Sequence, residues 1–301
     1  MEEAVDIWQR PASVRSMIAG WHQWADAGSI SSGLPQYLVD RTRATKIGRI
    51  HSQEFYLFQI PGAHHFLRPV VKLDDGHRVS MERKLNEFYH AAGSETDFVI
   101  FIGEEPHLNE DGYAEAFLDA VEALGVERVV AVAGVYGPVP YDRDRDISCV
   151  YSLREMRDDL THYGVRFSSY EGGATISTYI ADQAESRGIP FLTLYGLVPC
   201  YDFSAKSSGV QRAAMGEDFK AWYDLMSRLD RLLDLGLDLS DLRQKADDLI
   251  VAWDDKLQQL AEAMPQLGVA DYVEKVNADF EEESADHSQD VWEDALKDLF
   301  E

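Results

Sequence analysis

Glu104, Glu105 and His107 stand together in the stretch GEEPHLNEDGY, Gly103 to Tyr113. Adjacent carboxylates beside an imidazole could hold a divalent metal or exchange a proton with a substrate. The same stretch also reads as an extended turn at Glu105-Pro106, with Asn109 or Asp111 capping the helix that follows. A second chemistry-bearing stretch, MIAGWHQWADAGSISSGLPQYLV (Met17 to Val39), gathers Trp21, His22, Trp24 and Asp26 into one short turn. Asp26 is placed to accept from the free amides of a helix's first turn. A carboxylate at the positive helix end argues against a phosphate cradle there. Trp21 and Trp24 could line a ligand pocket or anchor an interface, where tryptophan is enriched, and we expect contact anchors.

Three further stretches carry reactive side chains. GVYGPVPYDRDRDIS contains Tyr136, Arg143 and Arg145. Its arginines could clamp a phosphate or a carboxylate; alternating charges also neutralise one another along a solvated loop, which is the plainer expectation. YEGGATISTYIADQAESRG places Glu171, Gly172, Gly173 and Thr175 between a strand and a helix. Such a turn can cradle an anion, but close backbone packing accounts for it equally well. It lacks the Lys-Ser/Thr of a P-loop, the G-x-G-x-x-G of dinucleotide binders and the G-x-S-x-G of hydrolases. YGLVPCYDFSAKSSG brings Cys200 and Tyr201. A cysteine nucleophile needs a histidine close in space, and an isolated cysteine is more often buried structure. No complete catalytic set emerges, and no metal or cofactor is expected. Whether the chain is an enzyme stays open.

The elements that must position these loops follow from apolar periodicity. Five strand-length runs, VRSMIAG, DFVIFIG, ERVVAVAG, VRFSSYEGG and IPFLTLYG, each end on glycine. Several are apolar nearly throughout, as strands covered on both faces are. Helical patterns lie between them at Ser29–Arg41, Asp111–Leu124, Ser152–Tyr163 and Ala174–Arg187. The alternation predicts a three-layer α/β/α core around a mostly parallel sheet, with ligands at the carboxyl ends of its strands. TKIGRIHSQEFYLFQI and LRPVVKLDDGHRVSM interrupt it and read as extra antiparallel strands at a sheet edge.

Beyond Arg212 the pattern turns helical: an antiparallel pair first, then GVADYVEKVNADFEEE and SQDVWEDALKDLF as shorter helices. We therefore expect a core over residues 1–212 and an acidic helical extension over 213–301. The charge supports the division. The whole chain carries −26, and Met215 to Glu301 alone holds 24 acidic and 8 basic residues. That field opposes nucleic-acid binding. No run reaches the ~18 apolar residues of a membrane span. Two cysteines, Cys149 and Cys200, are too few for a disulfide framework, and the acidic N-terminus lacks the pattern of a signal peptide. The expected location is the cytoplasm.

Read together, these loops resemble the proteasome assembly chaperone 2 family. AGWHQWADAGSISSGLPQYLV resembles its glycine-tryptophan-x-aspartate-alanine-glycine signature, here expanded by Gln23 and Trp24. VVAVAGVYGPVPYDRDR is similar to its glycine-rich strand end, and EGGATISTYIADQAESRGIPFLTLYGLVPCYDF to its later glycine–helix–strand unit. Cys200 stands where that unit carries a histidine. The resemblance runs in order from Val14 to Arg212. It implies a core similar to nucleoside phosphorylases and hydrolases, homo-oligomers, protein partners, and kinship with chaperones that assemble proteasome α-rings. It also implies that partners can dock through a hydrophobic-tyrosine-x tail; this chain ends KDLFE, with Leu299 and Phe300 in those places. The reading is a non-enzymatic interaction or assembly-chaperone-like factor. The alternative is a hydrolase, transferase or sensor for a nucleoside-like or phosphorylated small molecule bound at the strand edge.

Overall fold

The computed structural model describes residues 4–52, 54–59, 68–82, 84–167, 169–204 and 212–286. Four parallel strands form its spine: β2 (Ser16–His22), β7 (Phe98–Glu104), β8 (Arg128–Gly137) and β10 (Phe191–Asp202). β2 lies between β7 and β8, and β10 lies beyond β8. These are four of the five glycine-terminated runs read from the sequence. The interrupting segment adds antiparallel strands at one edge. β1 (Val5–Ile7), β3 (Thr45–Ile50) and β6 (Glu87–Ala91) extend the sheet outward from β7, while among the described residues β4 (Val70–Asp74) and β5 (His77–Glu82) pair only with each other.

The fifth run is not a strand. VRFSSYEGG contributes a single bridge, Arg166 to Ser148, and the neighbour of β10 is instead β9 (Ile147–Tyr151). That run has Arg166 between its two leading apolar residues, Val165 and Phe167, and then turns polar. ISCVY, by contrast, buries Ile147, Ser148 and Cys149. Short β11 (Arg212–Ala214) completes the sheet against the far end of β10.

Alternation along the strands decides which helices cover which face. Met17, Ala19 and Trp21 of β2 point with Val99, Phe101, Val129, Ala131 and Phe191 into one apolar cluster. α2 (Glu110–Ala123) and α4 (Ile176–Arg187) close that side. Ile18, Ile100, Val130, Val132, Leu192 and Leu194 point the other way, to α1 (Ile30–Thr42) and to α5 (Phe219–Leu233) and α6 (Ser240–Ala263). The result is the expected α/β/α sandwich. The helix expected over Ser152–Tyr163 shortens to α3 (Met156–Leu160) and one 3-10 turn.

α7 (Val269–Asp286) ends the described chain; SQDVWEDALKDLF and the KDLFE ending lie outside the described residues. α5 and α6 are tied to the sheet layers by directional bonds as well as by burial. Trp222 Nε1 donates to the Gly28 carbonyl at 2.9 Å, and Tyr37 of α1 donates to Asp241 of α6 at 2.8 Å. Among the described residues no helix is long and apolar enough to cross a membrane.

Candidate functional site

The loops after β2, β7 and β8 all leave the carboxyl edge of the sheet, but they divide into three separate groupings. The first is built on Trp21. It continues the inward face of Met17 and Ala19 and is fully buried, packed on Phe101 and Phe117 at ring separations of 5.4 and 5.5 Å. Its indole N–H donates to Tyr113 Oη at 2.9 Å, and Tyr113 donates to Asn86 Oδ1 at 2.8 Å. Trp21 is therefore a core residue, not a contact anchor. Beside it, Glu104 pairs with Lys84 at 2.5 Å and His107 accepts the Leu57 amide through Nδ1 at 3.1 Å. Burial, with Lys84 nearby, pushes the His107 pKa down, so it serves as a neutral acceptor. Glu104 and His107 thus secure the inserted segment to the β7 loop.

The second grouping is a cleft of about 510 Å³ between the β2 loop and the start of α4. Trp24 and Tyr170 stand at its rim, 38% and 36% exposed, with Glu171, Gly172 and Gly173 along the mouth. Its floor holds Tyr195, whose hydroxyl lies 2.8 Å from Thr175 Oγ1 and 2.7 Å from Thr178 Oγ1. Thr175 also accepts the Thr178 amide at 3.2 Å and so caps α4. The sequence reading found the glycine turn but missed Tyr195. A tyrosine inside the apolar run IPFLTLYG was the available signal, since a buried phenol needs a partner.

Asp26 and Glu105 flank this cleft and are both engaged. Asp26 accepts the amides of Ser31 at 2.8 Å and Ser32 at 2.9 Å, and the Ser32 hydroxyl at 2.6 Å, as the capping expectation required. Glu105 accepts the Trp24 amide at 3.2 Å and the Ile176 amide at the start of α4. The first amides of both helices are thereby bonded within the chain. His22 is exposed, and its carbonyl accepts the Glu105 amide at 3.1 Å.

The turn before α1 needs Gly28, which sits at φ 63°. It also needs Gly134 on β8, where a Cβ would fall 2.0 Å from the Ala27 carbonyl oxygen. The β2 loop lies directly on the sheet there, with the Gly134 amide donating to Ala25 at 2.9 Å.

Burial raises the pKa of both Asp26 and Glu105. A raised native pKa means the native state favours the neutral acid. The associated stability is present below the ordinary carboxylate range and is lost as pH rises through the native value. Glu105→Gln, always neutral and still offering one acceptor oxygen, escapes that loss. Its melting temperature relative to wild type should therefore rise as pH is taken from about 4 to 7. Thermal melts across that range check this; a difference independent of pH would refute it.

The third grouping sits under α5. Arg145 was expected on a solvated loop or as an anion clamp, and it is neither: its side chain is 1% exposed. Its guanidinium bonds both oxygens of Asp218, at 2.8 and 3.3 Å. It also donates to the carbonyls of Pro140, Tyr141 and Arg143. The Arg145 amide donates to Asp224 at 2.8 Å, and Lys220 bridges Asp224 and Asp144. Arg143 itself is exposed, its carbonyl taken up by this network. Tyr136 donates to the Met215 carbonyl at 2.9 Å. Tyr201 is buried and donates to Val139 at 3.0 Å. Cys200 is partly buried and burial raises its pKa, which is opposite to what a nucleophile requires. Among the described residues no three His, Cys, Asp or Glu side chains converge to hold a metal ion.

This arrangement of loops on an α/β/α core matches the PAC2 family over residues 20–260. The chain belongs to the PAC2 family. Three solved structures illustrate the likeness. A PAC2 family protein from Streptomyces avermitilis shares 25% identity with a TM-score of 0.68, covering 86% of this chain and 99% of its own. A protein of unknown function from Corynebacterium glutamicum has 16% identity and a TM-score of 0.77, covering 95% and 100%. A Mycobacterium tuberculosis proteasome-assembly chaperone homologue has 21% identity and a TM-score of 0.67, covering 80% and 94%. A search of the curated proteins returns no match. Within this PAC2 protein, Trp24 and the Gly172–Thr175 turn share one cleft, while Glu104 and His107 hold the inserted segment and Arg145 belongs to the α5 network.

Proposed function

We propose that this PAC2 protein is a non-enzymatic interaction or assembly-chaperone-like factor that works through protein partners and through copies of itself, in the cytoplasm. One observation carries the reading: Asp26, Glu104, Glu105, His107 and Arg145 at the strand edge are committed to caps, ion pairs and internal hydrogen bonds. Asp26 and Glu105 hold helix starts, Glu104 holds Lys84, and Arg145 holds Asp218. Catalysis instead requires such groups within reach of a reacting atom. The names of relatives support the same direction, since one is a proteasome-assembly chaperone homologue. In this reading the acidic helical residues 213–301, whose α5 and α6 also cover one face of the sheet, serve docking through their outer side, and the partner face combines the Trp24–Tyr170 rim with the Pro138–Arg145 loop.

Proteasome α-subunits are the first partners to try. Size-exclusion chromatography of the purified protein with those subunits should show co-elution, and Trp24→Ala should weaken it at least ~10-fold, as loss of an interface tryptophan does. Co-elution unchanged by Trp24→Ala would remove the rim from the partner face. No co-elution at all would exclude that partner.

One observation favours a second reading, a small-molecule sensor. The Tyr195–Thr175–Thr178 hydroxyls floor a cleft large enough for a ligand. With the α4 amides already bonded, that ligand would be an uncharged hydroxyl-bearing ring and not a phosphate. Titration with adenosine, followed by tryptophan fluorescence and repeated on Tyr195→Phe, tests it.

A further inference from the structure

The β4–β5 hairpin stands apart from the main sheet: among the described residues its strands pair with each other and with no other strand. Val71 lies opposite Met81, and a register shift between Lys72 and Leu73 brings Leu73 opposite Arg78, leaving Val79 as the extra residue. Alternation puts Val71 and Leu73 on one face of β4, with Met81 and the bulged Val79 joining them from β5 and Arg78, opposite Leu73, at the end of the same face. All four are exposed, at 45%, 58%, 40% and 55% respectively. An isolated two-stranded hairpin is at best marginally stable in water, and it is secured by further strands or by packing of its apolar face. Four large aliphatic side chains on one face of such an arm mark a surface that is covered in the working assembly.

We infer that the cover is the same hairpin of a second copy of this chain. Charge selects that occupant. The whole chain carries −26, so two copies repel across most of their surfaces. Residues 68–82 are different: Arg68, Lys72 and Arg78 balance Asp74, Asp75 and Glu82, giving no net charge. A neutral strip bearing both signs can meet its own copy without that repulsion, whereas a strongly acidic or basic partner gains nothing from it. The segment VWEDALKDLF near the C-terminus, outside the described residues, is itself acidic and offers no such match. Two hairpins laid face to face, about 10 Å apart, interdigitate the four side chains into a small two-layer core.

This inference rests on the proposed self-association and adds where it occurs. The test is light scattering after size-exclusion chromatography of the full chain, whose monomer is 34.0 kDa. Wild type should run at a multiple of that mass. A variant carrying Val71→Thr, Leu73→Gln, Val79→Thr and Met81→Gln keeps the charge unchanged, and none of the four lies in the buried core. Its dissociation constant should rise ~100-fold or more, with an unchanged melting temperature for the monomer. Leu73→Cys should in turn form a cross-linked dimer on oxidation that is reversed by reductant. A variant retaining the wild-type mass, with no cross-link, overturns the hairpin contact and leaves self-association standing. A monomeric wild type overturns both.

Discussion

Arg145→Met should lower the free energy of unfolding by about 3–5 kcal/mol, the loss expected when one partner of a buried ion pair is removed. The Asp218 carboxylate facing it has a fully buried side chain and also caps α5 through the Ala221 amide at 2.9 Å. Without the guanidinium, that charge is left without its counter-ion, and three carbonyls of the β8–β9 loop lose a donor. Arg145→Lys should recover little, because an ammonium cannot reproduce the planar fork that spans both Asp218 oxygens and the loop carbonyls. Urea unfolding monitored by circular dichroism measures the loss. A decrease below about 1 kcal/mol would show that the network relaxes around the gap. Pairing the change with Asp218→Asn should cost less than the sum of the single losses, since the second substitution removes the stranded charge.

Trp21→Ala should cost about 3–5 kcal/mol, the usual range for emptying a large aromatic site. The indole fills the space between Phe101 and Phe117. Its N–H also completes the chain Trp21–Tyr113–Asn86–Tyr56, in which Tyr56 reaches Asn86 at 3.0 Å. Trp21→Phe keeps part of the packing but loses the hydrogen bond and the volume of the indole's second ring, so an intermediate loss of about 1–3 kcal/mol is expected there. Neither change should alter partner binding by the folded protein, whereas Trp24→Ala should alter binding with little effect on the melting temperature. Two tryptophans three positions apart thus give opposite results in one pair of assays. Equal stability losses for Trp21→Ala and Trp24→Ala would contradict the placement of Trp21 as core.

Much of this contrast was legible before any coordinates. Met17, Ala19 and Trp21 share the period of two that defines one face of a strand, so the burial of Trp21 could have been read directly. Ending the run at Gly20 instead places Trp21 in the loop, although the strand continues to His22. The parallel spine was readable because DFVIFIG and ERVVAVAG are apolar on both faces. β9 escaped because ISCVY is short and carries a serine and a cysteine, and its burial depends on β10, some forty residues later. Asp26 followed from local capping chemistry. Arg145 did not, because its partner Asp218 lies 73 residues away and no local pattern pairs them. Groups that act on neighbours in sequence were visible; those whose partners come from another layer were not.

The sandwich closes its two faces at different times. α2 and α4, which seal one side of the sheet, are complete once Arg187 has been made. The other side holds only α1 and the short α3 among the described helices until Phe219 to Leu233 and the helices beyond have been added. A nascent chain that has just released β10 therefore carries one sealed apolar face and one open one. Domains fold as units during synthesis at ~5–20 residues per second, so this half-covered state lasts for seconds before α5 and α6 arrive. Premature termination between β10 and α5 would leave that face permanently bare, making early stop codons in this interval a route to aggregation and not merely to a shorter protein.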